Sequence, residues 1–512
     1  MKPTLLLLPL LAVAMPAMAQ SGYNPQYPMN RPPRATPAPA ESYYTVHPDQ
    51  PRQVIEGLGF EIQSDSIGSG NNGLPEARTS VPHDLTPSER QRFYNEMLKG
   101  FRYCRLAGGL YWRGLDPERK YLRPRWDTQL EEIREMLDTA GVEGVSLEYW
   151  SPAPFWKACE AYVCADVKRN LLKPFGPEWR DDPIYKGDTA RFFADFAAAK
   201  VADIKTLQAA SIRVSMWGLQ NEPRPWHGGS DYSRCGYTVE QYDATFRAVA
   251  PAIRAHDPKI RIIADSWELK NIRPVMDDPE ARHLVDALVL HHVGADSAIV
   301  KEHVEAVRAR FGHDKPLFQN EYEYGTETTS PDRCVNTVMH IMNWFHLGEA
   351  PTWFWLHALK PIYNSEAGGY SLGYWRPAND DPSTEHPDFP GLQPGEWVWN
   401  RYNWHALVGF LRHMPWNSRG IALTEARYDS DLRPMAFKRP DGKLVLVVAN
   451  RSAADHTFRL QTGLPADTVF HGLRYTPEDA GPGFNGVPVG TATGAELALH
   501  VPDRAWEFWI QH

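Results

Sequence analysis

Ile212–Pro223 reads IRVSMWGLQNEP, an apolar strand-like run that stops at Asn221-Glu222-Pro223. A second run of the same form, PLFQNEYE over Pro316–Glu323, ends at Glu321. On either side the pattern repeats: a short apolar run, then a stretch with helical periodicity. Strand starts fall near Val54, Phe101, Val142, Ile212, Ile260, Val285, Pro316 and Pro351. Amphipathic stretches lie between them at Thr86–Lys99, Asp127–Ala140, Thr189–Gln208, Val239–His256, Ser297–Phe311 and Asp332–Leu347. Thr86-Pro87 and Ser330-Pro331 each put proline at a first helical position, where its missing N–H costs nothing. Eight such alternations predict an α/β fold of the (β/α)8 TIM-barrel type. The rival is an open doubly wound sheet, which wants a glycine-rich phosphate turn after its first strand. Gly57-Leu58-Gly59-Phe60-Glu61 lacks the third glycine in register.

From about Ile421 the pattern changes to short strands: Arg433–Lys438, Leu444–Ala449, His456–Gln461 and Trp506–Ile510, with Asp441-Gly442 as a hairpin turn. This predicts an appended all-β sandwich, residues 415–512, to which residues 42–56 add a strand; the barrel spans 57–414. The 512 residues suit two domains. Lys2, the apolar run Leu5–Met15 and Ala17-Met18-Ala19 read as a cleaved signal peptide over 1–19, and the proline-rich 20–41 as a tether. The expectation is a secreted or periplasmic protein with no membrane anchor.

A net charge of −9 with no basic cluster argues against nucleic acid. Aromatic residues make up 12 %, with 18 tryptophans, divided between core packing and a surface that stacks on flat ligands. Cys159 and Cys164 are spaced to close a small loop, Cys235 with Cys334 is a weaker pairing, and Cys104 reads as a buried thiol. No paired CxxC motif is present, so neither zinc nor another cofactor is expected.

By count, Glu222 and Glu321 end the fourth and seventh strands. In such a barrel the reactive residues sit at the C-terminal strand ends, and these two strands face each other across the mouth. Cleaving a glycosidic bond with retention needs two carboxyls about 5–5.5 Å apart. Glu222 and Glu321 are therefore the expected catalytic pair. Glu323 competes with Glu321, since strand alternation gives it the same face.

The chain resembles the family-30 glycoside hydrolases, in the clan whose acid/base and nucleophile lie on strands four and seven. The residues carrying the resemblance are Gly57-Leu58-Gly59-Phe60, Tyr149–Lys157 (YWSPAPFWK), Trp217–Pro223 (WGLQNEP), Phe437–Asn450 and Leu499–Trp509. The resemblance implies Glu222 as acid/base and Glu321 as nucleophile, Asn221 on the sugar 2-hydroxyl, and Arg105 hydrogen-bonded to the nucleophile. It also implies Trp355 as the floor of the reacting subsite, with Trp353 on the same face, Trp150 lining the cleft and His291 bordering the nucleophile. The sequence departs from the family at Val293, where a tyrosine is usual, and at Ala153-Pro154-Phe155-Trp156. His357–Trp399, long and rich in Trp, Tyr, Pro and Gly, reads as a substrate-binding flap. The function so implied is retaining hydrolysis of a β-linked oligo- or polysaccharide, with gluco-, xylo- and galacto-type substrates all open. A catalytically inactive carbohydrate-binding barrel, or a transglycosylase using the same residues, are the alternatives.

Overall fold

Each of the eight apolar runs forms a strand, and the eight close into one parallel barrel. The computed structural model describes residues 37–62, 80–225, 233–324, 329–362, 369–479, 481 and 483–512. The expected signal peptide and the tether up to residue 36 lie outside the described residues. A long strand, β1 (Glu41–Ile55), comes first and belongs to the side domain. The first barrel strand therefore starts at Gly57, later than the expected Val54, which lies within β1. Gly57 has φ +138°, a region open to glycine, and there the chain leaves one sheet for the other.

The barrel strands are β2 (Gly57–Ile62), β3 (Tyr103–Gly108), β6 (Gly144–Tyr149), β7 (Val214–Gly218), β8 (Arg261–Trp267), β9 (Ala287–His291), β10 (Leu317–Tyr322) and β11 (Thr352–Trp355). They are neighbours in that order, and β11 pairs with β2 to close the ring. A two-residue ribbon of β4 (Gly114–Leu115) and β5 (Leu122–Arg123) follows β3. The helices are α1 (Pro87–Arg92), α2 (Gln129–Ala140), α3 (Thr189–Ala209), α4 (Val239–His256), α5 (Arg273–Asp277), α6 (Ile299–Phe311), α7 (Pro331–His346) and α8 (Arg401–His413). Local chemistry sets their ends. Thr86 and Ser330 cap α1 and α7 ahead of their prolines, and Thr238 with Gln241 forms a capping box on α4. The expected helix Thr86–Lys99 is helical but not uniform, since α1 passes into a π-helix over Phe93–Leu98.

The side domain is one continuous nine-stranded sheet. Beside β1 it contains β15 (Ser418–Glu425), β16 (Leu432–Lys438), β17 (Leu444–Asn450), β18 (His456–Gln461), β19 (Val469–Tyr475), β20 (Val487–Thr493), β21 (Glu496–Val501) and β22 (Ala505–Gln511). β1 lies inside it, antiparallel to β15 and parallel to β18. The two end strands, β20 and β21, meet, so the sheet wraps a core of its own. β17 (LVLVVAN) shows why its sequence does not alternate with polar residues. Leu444, Leu446 and Val448 fill the domain's own core, while Val445, Val447 and Ala449 pack on the barrel cluster. Helix α7 lies between the two domains and is buried all round from Cys334 to His346.

Residues 357–399, read as a loop, contain a small sheet of β12 (His357–Pro361), β13 (Ser371–Trp375) and β14 (Trp397–Trp399). Residues 363–368 of that segment lie outside the described residues. Cys159 and Cys164 are bonded. The Cys235–Cys334 pairing is wrong: both are buried free thiols, Cys235 beside Lys157 and Cys334 on α7 near Glu478. Cys104 is a buried free thiol. Among the described residues no helix is long and apolar enough to cross a membrane.

Candidate active site

Irregular strand ends build the mouth of the barrel. The β9–β10 register slips between Gln319 and Glu321, so Asn320 and Glu321, adjacent in sequence, both reach the interior. A slip between Ala264 and Trp267 on β8 does the same for Ser266 and Trp267. Such bulges re-aim side chains where a regular strand would send one of each pair outward. On β7 the strand stops at Gly218, and Glu222 stands four residues further on with φ +46°. A non-glycine residue in that left-handed region is strained and needs fixing by its surroundings. Here the Asn221 N–H donates to Tyr149 O at 2.7 Å and the Gln220 amide donates to Trp150 O at 2.8 Å.

Arg105 on β3 organises the site. It is fully buried, stacked against the Trp150 ring at 4.6 Å. Its Nη1 donates to Glu321 Oε2 at 2.5 Å and to Glu61 Oε2 at 2.7 Å. Nε and Nη2 donate to Glu148 Oε2 at 2.8 and 2.5 Å, and Nη2 also donates to Asn221 Oδ1 at 2.6 Å. One planar cation thus joins strands one, two, three, four and seven of the barrel.

His291 links the two expected catalytic carboxylates. Its Nδ1 is 3.2 Å from Glu222 Oε1 and 3.7 Å from Glu321 Oε2, and Nε2 faces Arg105 Nη2 at 3.5 Å. Arginine can only donate, so Nε2 is the bare nitrogen and the ring proton sits on Nδ1, toward the carboxylates. Burial pushes the imidazole down to about 4, so it is neutral at ordinary pH. Burial raises the Glu222 carboxyl above its ordinary value, opposed by Arg224, Arg234 and Arg105. Glu323, also buried, is raised well above the carboxylate range, first by burial and then by the charge of Glu321. Nitrogen and oxygen atoms of Glu222, His291 and Glu321 all lie within 4.8 Å of one another. That donor set could also receive a divalent cation, but the Arg105 guanidinium on Glu321 Oε2 opposes one electrostatically.

The structure thus brings together Glu222, Glu321, Asn221, Arg105, Trp150 and His291. It places Trp353 and Trp355 elsewhere, which corrects the expectation for both. Their fully buried rings pack with Tyr322 in the layer outside the barrel wall. The Trp353 indole donates to His340 on α7 at 3.0 Å, and the Trp355 indole to Tyr370 O at 3.0 Å. The inward residue between them is Phe354, whose ring occupies the space left by Gly59: a Cβ there would lie 2.2 Å from it. Missed in the sequence were Glu61 and Glu148, each a carboxyl within an apolar strand, and Asn320 and Ser266, which hold Glu148. The acid inside GLGFEI and inside GVSLEY was the available signal. Trp112, Trp156, Trp217 and Trp344 are fully buried, so much of the tryptophan surplus is core.

Residues 417–502 match the family model "Glycosyl hydrolase family 30 beta sandwich domain". The chain is similar to mouse lysosomal acid glucosylceramidase, 26 % identical over 282 residues, which is 49 % of this chain and 49 % of that protein. It therefore spans about half the length of the curated relative it matches. Among solved structures, a conserved exported protein from Bacteroides fragilis superposes with a TM-score of 0.67, at 13 % identity, over 91 % of this chain and 100 % of that one. A family 30 subfamily 8 xylanase from Clostridium acetobutylicum gives 0.60, at 14 % identity, over 91 % and 99 %. The structural likenesses show the shared barrel-plus-sandwich fold. The side-domain match bears out the family-30 resemblance.

Proposed function

We propose that the chain is a retaining β-glycoside hydrolase, with Glu222 as acid/base and Glu321 as nucleophile. One observation carries this reading: side-chain oxygens of Glu222 and Glu321 lie within 4.8 Å of each other. Such proximity suits a nucleophile, since the carboxyls of a retaining pair stand about 5–5.5 Å apart. The similarity to a glucosylceramidase and to a xylanase supports glycosidase activity at the coarser level.

In the first displacement Glu321 attacks the anomeric carbon as Glu222 gives its proton to the leaving oxygen. Each group starts in the state its surroundings favour. Burial keeps Glu222 protonated to higher pH than an ordinary glutamate, and Arg105 stabilises ionised Glu321. Asn221, held by Arg105, presents its amide toward the sugar 2-hydroxyl. In the second displacement Glu222, now a carboxylate, takes a proton from water, which attacks the glycosyl-enzyme. Neutral His291 donates from Nδ1 to the Glu222 side and stabilises the carboxylate without forcing it to ionise early. The N-terminal residues carry the proposal of export.

The test is hydrolysis of β-linked xylans, glucans, galactans and aryl glycosides, following by NMR the anomer released first. The β-anomer first, with turnover lost in Glu321→Ala and reduced about 10²–10⁴-fold in Glu222→Gln, is the expected result. The α-anomer first would overturn retention.

A further inference from the structure

Arg105 carries one positive charge and is touched by three carboxyls, which are not equivalent. Glu148 is fully engaged: Oε2 accepts from Arg105 and from the Asn320 amide at 3.0 Å, and Oε1 accepts from Ser266 Oγ. That is the donor shell of an ionised carboxylate, which can only accept. Glu321 must be ionised to attack carbon. Glu61 differs from both. Its Oε2 accepts from Arg105, but Oε1 has no hydrogen-bond partner although the side chain is fully buried. Facing Oε1 at 3.8 Å is Nδ1 of His357, also buried, and neither of its ring nitrogens has a partner.

A bare carboxylate oxygen in a sealed interior carries the full desolvation cost. A protonated carboxyl carries an O–H that can be aimed at an imidazole nitrogen, and His357 offers one. Both side chains are closed to solvent, so a sugar hydroxyl does not reach them. Burial raises Glu61 well above the carboxylate range, Glu321 adds to this, and Arg105 and Lys360 oppose it. Burial also pushes His357 well below its ordinary value, leaving it a neutral acceptor. The Cys104 thiol, one residue before Arg105 on β3 and itself raised by burial, also interacts electrostatically with Glu61.

We propose that Glu61 keeps a proton on Oε1, directed at His357 Nδ1, and acts as a neutral positioning residue. It holds the Arg105 guanidinium in place without competing with Glu321 for its charge. The role in catalysis rests on the reading of Glu321 as nucleophile, but the protonation does not. An ionised Glu61 would share Nη1 with the nucleophile as a third anion on one cation, and would favour protonated Glu321.

Glu61→Gln copies a neutral carboxyl, with one acceptor for Arg105 and one donor for His357. It should keep kcat/KM within about threefold, with the acid limb of the pH profile unmoved. Glu61→Met, which removes the acceptor from Nη1, should lower kcat by about tenfold or more with less change in KM. If Glu61 is ionised, Glu61→Gln removes a negative charge from beside Arg105, and the acid limb of the pH profile moves to lower pH. That shift, or a loss of activity matching Glu61→Met, overturns the proposal. Infrared difference spectroscopy of the wild type against Glu61→Gln at neutral pH decides the protonation without any substrate. A protonated-carboxyl stretch lost in the variant supports the proposal, and its absence overturns it. Failure of the near-isosteric Glu61→Gln to fold while the wild type folds would show that the charge is needed, and counts against it too.

Discussion

The two faces of β9 and β10 are buried alike and hold polar groups of opposite kinds. Inward, His291 and Glu321 join Arg105, Glu148 and Glu61 in a cluster of ions and acids. Outward, one residue along each strand, His292 and Tyr322 pack on α7. There His340 lies between two indoles: the Trp353 N–H donates to Nδ1 at 3.0 Å, and the Trp344 N–H faces Nε2 at 3.3 Å. Nε2 lies 3.1 Å from His292 Nδ1, and His292 Nε2 lies 3.0 Å from His303 Nδ1. His340, His292 and His303 thereby form one chain of ring contacts outside the wall. Burial pushes His292 and His340 well below the ordinary histidine value. Desolvation removes charge wherever neutral pairing suffices, as outside the wall. Inside, charge persists because a guanidinium is built in to meet it, and the proposed displacement needs an anion there.

The sharpest way to break this contrast is Arg105→Met. It leaves Glu148 and Glu321 buried without their cation, and should cost about 3–5 kcal/mol of stability along with all turnover. An unchanged thermal unfolding midpoint would mean the inner carboxyls are neutral like the outer histidines. His340→Phe strands the Trp353 indole and breaks the histidine chain. It should cost about 1–3 kcal/mol in denaturant unfolding and leave kcat alone. A parallel loss of kcat would show that the outer layer aligns the inner one. The smallest effect is expected for Arg224→Ala. Arg224 lies 3.4 Å from Glu222 Oε2 and lowers the Glu222 pKa, so removing it should raise that pKa further. The alkaline limb of kcat/KM, where Glu222 loses its proton, then moves to higher pH; a shift downward would assign that limb to another group.

Much of this contrast is hidden from the sequence for one physical reason. Periodicity located all eight barrel strands, because parallel strands covered on both faces read as short apolar runs whatever their neighbours. The motifs at Asn221-Glu222 and Glu321 were readable because acids rarely end apolar runs. Which side of the wall a residue faces depends on counting by two, and the count fails at the register slips. Asn320 and Glu321 both point inward, so nothing in PLFQNEYE assigns them one face. Trp353 and Trp355 do share a face, but the choice between faces was fixed by Phe354 filling the gap over Gly59, a contact between distant strands. Glu61 and Glu148 were visible as charges within apolar strands, and only the fold shows that one arginine holds both.

The position of β1 in the side domain has a consequence for how the protein is made. His47 on β1 bonds Thr424 on β15, 377 residues later in the chain. An early strand must therefore wait, unpaired, while the whole barrel is synthesised, before its partners exist. Such an open edge invites wrong pairing, and closing so long a loop slows assembly. A chaperone that covers residues 41–55 during synthesis would raise the yield of folded protein more than one acting on the barrel strands, whose neighbours follow soon after them.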